Sequence, residues 1–157
     1  MAVNRGKQFE VRFREDWART MSKCIDRIYD QVSGMKTISN ISDFIAFRFP
    51  NMFYLECKST TGNTFNFAKL TQYDKLAAKL GCERGVRIGV VVWFIDHDRV
   101  LYVPISTIKR MKEDGLKSIN IGKIDSEGYR KFDIPSKKLR VLMESDYSVL
   151  KDTEEGD

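Results

Sequence analysis

Asp43, Glu56 and Lys58 have the side-chain types that metal-assisted hydrolysis of a phosphate ester uses. They lie in a stretch, residues 42–58, that reads as two strands rich in aromatic and β-branched residues around a Pro50-Asn51 turn signal. Strand side chains alternate faces with period two. Tyr54, Glu56 and Lys58 therefore share one face, and Phe53, Leu55 and Cys57 the other. With the turn centred on Pro50-Asn51, Asp43 lies opposite Lys58 and Ile45 opposite Glu56. Asp43 and Glu56 are then diagonal neighbours, about 7–8 Å apart or less, close enough to share one cation.

A hard divalent cation such as Mg²⁺ binds a few carboxylate oxygens and keeps several waters. Asp43 and Glu56 offer such oxygens, and the backbone carbonyl of Cys57 offers another. An ion held there acidifies a water and offsets charge on a phosphodiester under attack. Lys58 would hold the attacking water or stabilise the extra phosphate charge. No histidine is required, and the chain has only His97, which reads as a turn residue. The competing reading is an edge hairpin in which Glu56 and Lys58 form an exposed ion pair, a contact worth little.

The flanking elements must carry these strands. Phe9, Phe13, Trp17, Met21, Cys24 and Ile28 recur every three or four residues, which predicts a helix over residues 7–31 with Asn4 as N-cap and Val32-Ser33-Gly34 as its end. Glu10 lies at the edge of that stripe. It is either a first-turn carboxylate favoured by the helix dipole or a further carboxylate of the metal shell. After a polar loop at residues 59–63, residues 68–80 read as a helix with Leu70, Tyr73, Ala77 and Leu80 inward and Gly81 past its end. Lys69, Gln72, Lys75 and Lys79 fall on its other side, as a solvated face or as a phosphate-facing edge with Gln72 near the metal. The run Val86–Phe94 predicts a central strand covered on both faces. A turn at residues 96–99, a strand at 100–105 and a helix at 107–112 capped by Ser106 follow. Weaker strands are expected at 119–121, 129–134 and 138–143. The order gives an α/β fold with a mixed β-sheet flanked by helices.

Composition narrows the class. The 157 residues suit one domain, residues 1–150, with an acidic tail at 151–157. No apolar run approaches the ~20 residues that span a bilayer, and the first seven residues lack a signal-peptide core, so the expected place is the cytoplasm, with no membrane partner. Three widely spaced cysteines without a CxxC argue against a disulfide framework and a zinc site. From Glu144 onward there are six acidic residues and one lysine, which leaves 26 basic and 16 acidic residues in 1–143. A body that basic suggests a polyanionic partner rather than a small-molecule substrate.

The order of pieces carries a resemblance. Asn4-Arg5-Gly6-Lys7 with Phe9-Glu10 opens a helix; Ser42-Asp43-Phe44 and Leu55-Glu56-Cys57-Lys58 follow; then come an Asn/Thr/Phe loop, Leu70-Thr71-Gln72 on a helix, and Val92-Trp93-Phe94 closing an aliphatic strand. This set, over residues 4–108, resembles the PD-(D/E)xK nuclease superfamily, and within it the RecU-type Holliday junction resolvases of Gram-positive bacteria and their phages. The resemblance implies a restriction-endonuclease-like core and a homodimer that cuts paired strands of four-way DNA junctions with Mg²⁺, or Mn²⁺ in its place. It implies Asp43, Glu56 and Glu10 as metal ligands with the Cys57 carbonyl, Lys58 as the catalytic lysine, and Gln72 as a supporting catalytic residue. Arg5, Gly6 and Lys7, with Lys69 and Lys75, would lie along DNA. Two departures stand out. Ser42 replaces the proline before the acidic residue, and only residues 32–41 are available where RecU-type enzymes carry a long stalk. Short spacers suit a phage-encoded version acting in the host cytoplasm, and compact archaeal resolvases of the superfamily have no stalk. Two other readings remain: a restriction-type or repair nicking nuclease of the same fold, and a non-catalytic DNA-binding protein.

Overall fold

The computed structural model describes residues 4–33, 36–38 and 40–152, with backbone alone for 31–33 and 36–38. In chain order, helix α1 (Arg5–Thr20) leads to β1 (Ile25–Arg27), β2 (Gln31–Ser33), β3 (Lys36–Ile38), β4 (Phe44–Arg48), β5 (Asn51–Thr60) and β6 (Thr64–Asn66). Then come α2 (Tyr73–Ala77), β7 (Val86–Phe94), β8 (Arg99–Pro104), α3 (Ile105–Glu113), β9 (Ser118–Asn120), β10 (Phe132–Ile134), β11 (Ser136–Lys138) and β12 (Met143–Ser145). Six strands make one sheet in the order β1-β4-β5-β7-β8-β10. Within it β5 and β7 run parallel and the other neighbours antiparallel. The mixed sheet flanked by helices is the expected class.

The sheet is organised by β7. Val91 and Trp93 point into one core, and Ile88, Val90, Val92 and Phe94 into the other. Burial on both faces leaves a strand no reason to alternate with polar residues. Gly89 makes the packing possible: a Cβ there would lie 2.3 Å from the ring of Tyr102 on β8. The first core is closed by α1, whose Phe9, Phe13, Trp17 and Met21 form the expected stripe. Trp17 meets Phe53 edge-on at 5.0 Å and Phe13 meets Tyr147 edge-on at 4.9 Å. Buried Asp16 accepts the Ser145 N–H at 2.9 Å and pairs with Arg12 at 3.1 Å, tying α1 to β12. The second core is closed by Leu76 of α2 and by Ile105, Ile108 and Met111 of α3.

The first helix ends eleven residues sooner than its spacing suggests. Asn4 caps it, accepting the Lys7 N–H at 3.0 Å, but α1 stops at Thr20. Cys24 is exposed, and Ile25–Arg27 pairs with β4 as a strand. The β4–β5 register also differs from expectation. Arg48 pairs with Asn51, so the loop is Phe49-Pro50, one residue earlier than predicted. Asn51 belongs to β5, where it is buried. Every cross-strand partner therefore moves by two residues, which preserves the faces. The predicted helix over 68–80 is a 3-10 turn, Phe67–Lys69, then a break and the short α2. The Asn66 side chain caps that turn by accepting from the Ala68 N–H, and Leu70 leaves helical geometry at φ −91°, ψ 74°. Leu76, not Ala77, is the fully buried residue of α2. Helix α3 begins at Ile105 behind Pro104, so Ser106 lies inside the helix rather than at its N-cap. The strand expected at 138–143 is instead the turn of a hairpin between β11 and β12. Residues 34–35 and 39, and most of the acidic tail, lie outside the described residues.

Candidate active site

The site forms where β4 stops and β5 continues. The last ladder pair is Phe44 with Leu55. Beyond it, side chains take over from the ladder: the Asp43 N–H donates to Glu56 Oε2 at 3.1 Å, and the Cys57 N–H donates to Asp43 Oδ2 at 2.8 Å. Asp43 and Glu56 are thus directly opposed rather than diagonal, and Lys58 is one step further along β5. Its Nζ sits 3.2 Å from Glu56 Oε1. Glu56 faces the α2 side of the sheet, beside Val90 in the parallel ladder, and its side chain is 5% exposed. The Glu56–Lys58 pair is therefore not the solvated edge contact of the competing reading.

Helix α1 brings Glu10 to the same end of the sheet, but an arginine stands between it and the pair. Arg27 of β1 places Nη1 3.0 Å from Asp43 Oδ1 and Nη2 3.3 Å from Glu10 Oε2. The same Nη1 donates to the backbone carbonyls of Asp43 and Ile28, at 2.8 and 3.0 Å. Arg27 is the residue that sequence reasoning missed. The expected helix over residues 7–31 ran through it and gave it no role. The stretch Ile25-Asp26-Arg27 is buried, exposed and half-buried in turn, as a strand is, but one apolar residue followed by two charged ones carries no period-two signal in the sequence.

The remaining expected residues divide. Gln72, at the N-terminus of α2, lines a cleft of about 350 Å³ together with Asp43, Glu56, Arg27 and Tyr29. Lys7 lines a neighbouring cavity with Glu10. Gly6 lies beside Ser59, just past Lys58: a Cβ there would sit 3.8 Å from Ser59 Oγ. Arg5 is held by Gln8 at 3.0 Å. Lys69 and Lys75 are exposed, and neither lines the cleft. The Cys57 thiol faces the first core, where burial pushes its pKa well up.

Electrostatics set this corner apart. The Glu56 carboxyl is pushed up to about 7, first by burial and then by the adjacent Asp43 charge, against the pull of Lys58. Glu10 is raised for the same two reasons, with Arg27 opposing. Crowded carboxylates in a partly dry cleft hold more negative charge than their local cations offset. Among the described residues no three His, Cys, Asp or Glu side chains converge as a ready metal site. Glu10 is drawn off by Arg27, so the arrangement is a carboxylate pair rather than the expected trio. That pair still suits Mg²⁺, which binds through one or two carboxylates and completes its shell with water and substrate phosphate.

Comparison with known proteins adds the fold. No protein-family model matches the chain, and no curated protein matches its sequence. Among solved structures it is similar to Hjc, a Holliday junction resolvase from the archaeal hyperthermophile Archaeoglobus fulgidus. The TM-score is 0.52, at 16% identity over 74% of this chain and 89% of that one. The two chains share a fold. Among the described residues no helix is long and apolar enough to cross a membrane.

Proposed function

We propose that this chain is a metal-dependent DNA endonuclease that resolves four-way junctions by paired strand cleavage. The observation that carries the reading is the opposition of Asp43 and Glu56 at the end of β4, with Lys58 on Glu56, in a chain folded like a junction resolvase. Asp43 and Glu56 would hold the ion, with the Cys57 carbonyl beside them; Glu10 would join on release from Arg27. Bound there, Mg²⁺ or Mn²⁺ would supply an acidified water and offset phosphate charge. Lys58, whose Nζ sits 3.2 Å from Glu56 Oε1, would donate to the attacking water or to a phosphate oxygen. Arg27 is a positioning residue: its contacts with two backbone carbonyls fix the guanidinium that orients Asp43. Gln72 borders the same cleft.

The substrate follows from charge and symmetry. A body with ten more basic than acidic residues through residue 143 binds phosphates without reading bases. Two copies related by a two-fold axis would place two sites on the symmetric strands of a junction. The test is cleavage of a synthetic four-way junction, a flap, a nicked duplex and a linear duplex, each with and without Mg²⁺. Symmetric, Mg²⁺-dependent cuts in the junction are expected. Cutting of linear duplex at a short sequence would instead indicate a restriction-type enzyme, and no cutting of any DNA would leave a binding protein.

A further inference from the structure

Beside the carboxylates lies a second cavity, of about 420 Å³, that the reaction above leaves unused. Tyr29, Phe44 and Val11 wall it, and Lys7, Arg14 and Arg27 contribute cations to its lining. Tyr29 and Arg27 also line the acidic cleft, so the two hollows meet along this pair. Tyr29 is 72% exposed, yet its ring is placed. The Arg27 guanidinium lies 5.6 Å from the ring centroid, and Asp43 and Glu10 anchor that guanidinium in turn. Glu10 borders the cavity too, but its charge is met by Arg27.

An open aromatic ring among cations, one residue pair away from the carboxylates, matches the chemistry of an unstacked nucleotide. Bases stack on such rings whatever their identity, while lysine and arginine take the phosphates. A volume of this size lies within the ~300–1,000 Å³ range of small-ligand sites. A base inside a continuous duplex has both faces covered by its neighbours, and exposing one costs a few kcal/mol. A nucleotide already unpaired, at a branch point or a frayed end, avoids that cost. We propose that Tyr29 and its cavity bind an unpaired nucleotide of the DNA next to the scissile phosphate, so that the site selects strands with broken stacking. The link to cleavage rests on the nuclease reading; the stacking itself does not.

The test uses oligonucleotides carrying 2-aminopurine at one unpaired position, bound to the whole protein in chelator so that nothing is cut. The fluorescence should be quenched by wild-type protein and by Tyr29→Phe, and not by Tyr29→Ala. Binding of this DNA should weaken roughly tenfold in Tyr29→Ala, with binding of fully paired duplex unchanged. With Mg²⁺ added, Tyr29→Ala should lose preference for branched over linear DNA and Tyr29→Phe should keep it. Tyr29-dependent quenching in a protein that cuts no DNA would sink the nuclease reading alone. Equal quenching by wild type and Tyr29→Ala would sink the stacking site, whether or not DNA is cut. Displacement of the oligonucleotide by dAMP at equal concentration would also overturn it, in favour of a free-nucleotide site.

Discussion

Glu56→Gln is the sharpest probe of the corner. In the folded chain the Glu56 carboxyl is pushed up to about 7 from an ordinary 4.5. Between those values the native protein holds a proton that the unfolded chain has released. Stability then falls as pH rises, because the native state binds more protons. The contribution is fully present below the unfolded value and is lost as pH climbs through the folded one. At ~1.4 kcal/mol per pH unit, the gap corresponds to at most about 3 kcal/mol. For a chain of this length that is roughly 6–12 °C in Tm. Glutamine keeps an acceptor for the Asp43 N–H but carries no charge. Metal-free wild type should therefore lose several degrees between about pH 5 and pH 8, while Glu56→Gln stays nearly flat and melts higher at the upper end.

Urea or thermal melts in chelator at constant ionic strength would measure this. Asp43→Asn removes the charge that is the second cause of the shift, so it should flatten the wild-type slope part of the way. Mg²⁺ should restore stability to wild type at high pH and do little for Glu56→Gln, because a ligand that binds only the native state stabilises by mass action. Equal pH slopes in wild type and Glu56→Gln would refute the argument. They would mean that the carboxyl is solvated, and that the pairing of Asp43 with Glu56 does not hold a cation-hungry cleft.

Other substitutions separate chemistry from scaffold. Asp43→Asn and Lys58→Ala should each abolish Mg²⁺-dependent junction cleavage while gel-shift binding is retained; either variant cutting at the wild-type rate would show the site misassigned. Arg27→Ala should lower the metal-free melting temperature most at high pH, since Asp43 and Glu10 then face each other without a cation between them. Gly89→Ala should cost about 1–3 kcal/mol in urea unfolding, because its methyl group would meet the Tyr102 ring at 2.3 Å. Asn4→Ala should cost ~1 kcal/mol through loss of the α1 cap, and cleavage should drop with it if the first turns of α1 hold Glu10 in place.

What the sequence made legible, and what it hid, follows from how each residue is held. β7 was readable because seven of its nine residues are apolar and eight are buried between two cores. The start of α1 was readable because its cap is local: Asn4 answers to Lys7, three residues away. The end of α1 was not, because Cys24 and Ile28 continue the helical spacing by coincidence while β4 recruits Ile25–Arg27 as a strand. That pairing is between residues about twenty positions apart, and no local pattern reports it. The shared face of Asp43 and Glu56 survived a misplaced turn because a shift of two residues keeps parity; a shift of one would have set the two carboxylates on opposite faces of the sheet. Arg27 had no such protection. Its role exists only once β1 lies against β4, and the error that lengthened the helix is the same error that concealed it. The corner thus depends on a non-local pairing: without β1 in place, Asp43 loses its guanidinium, Glu10 loses its anchor, and Tyr29 loses the cation behind its ring.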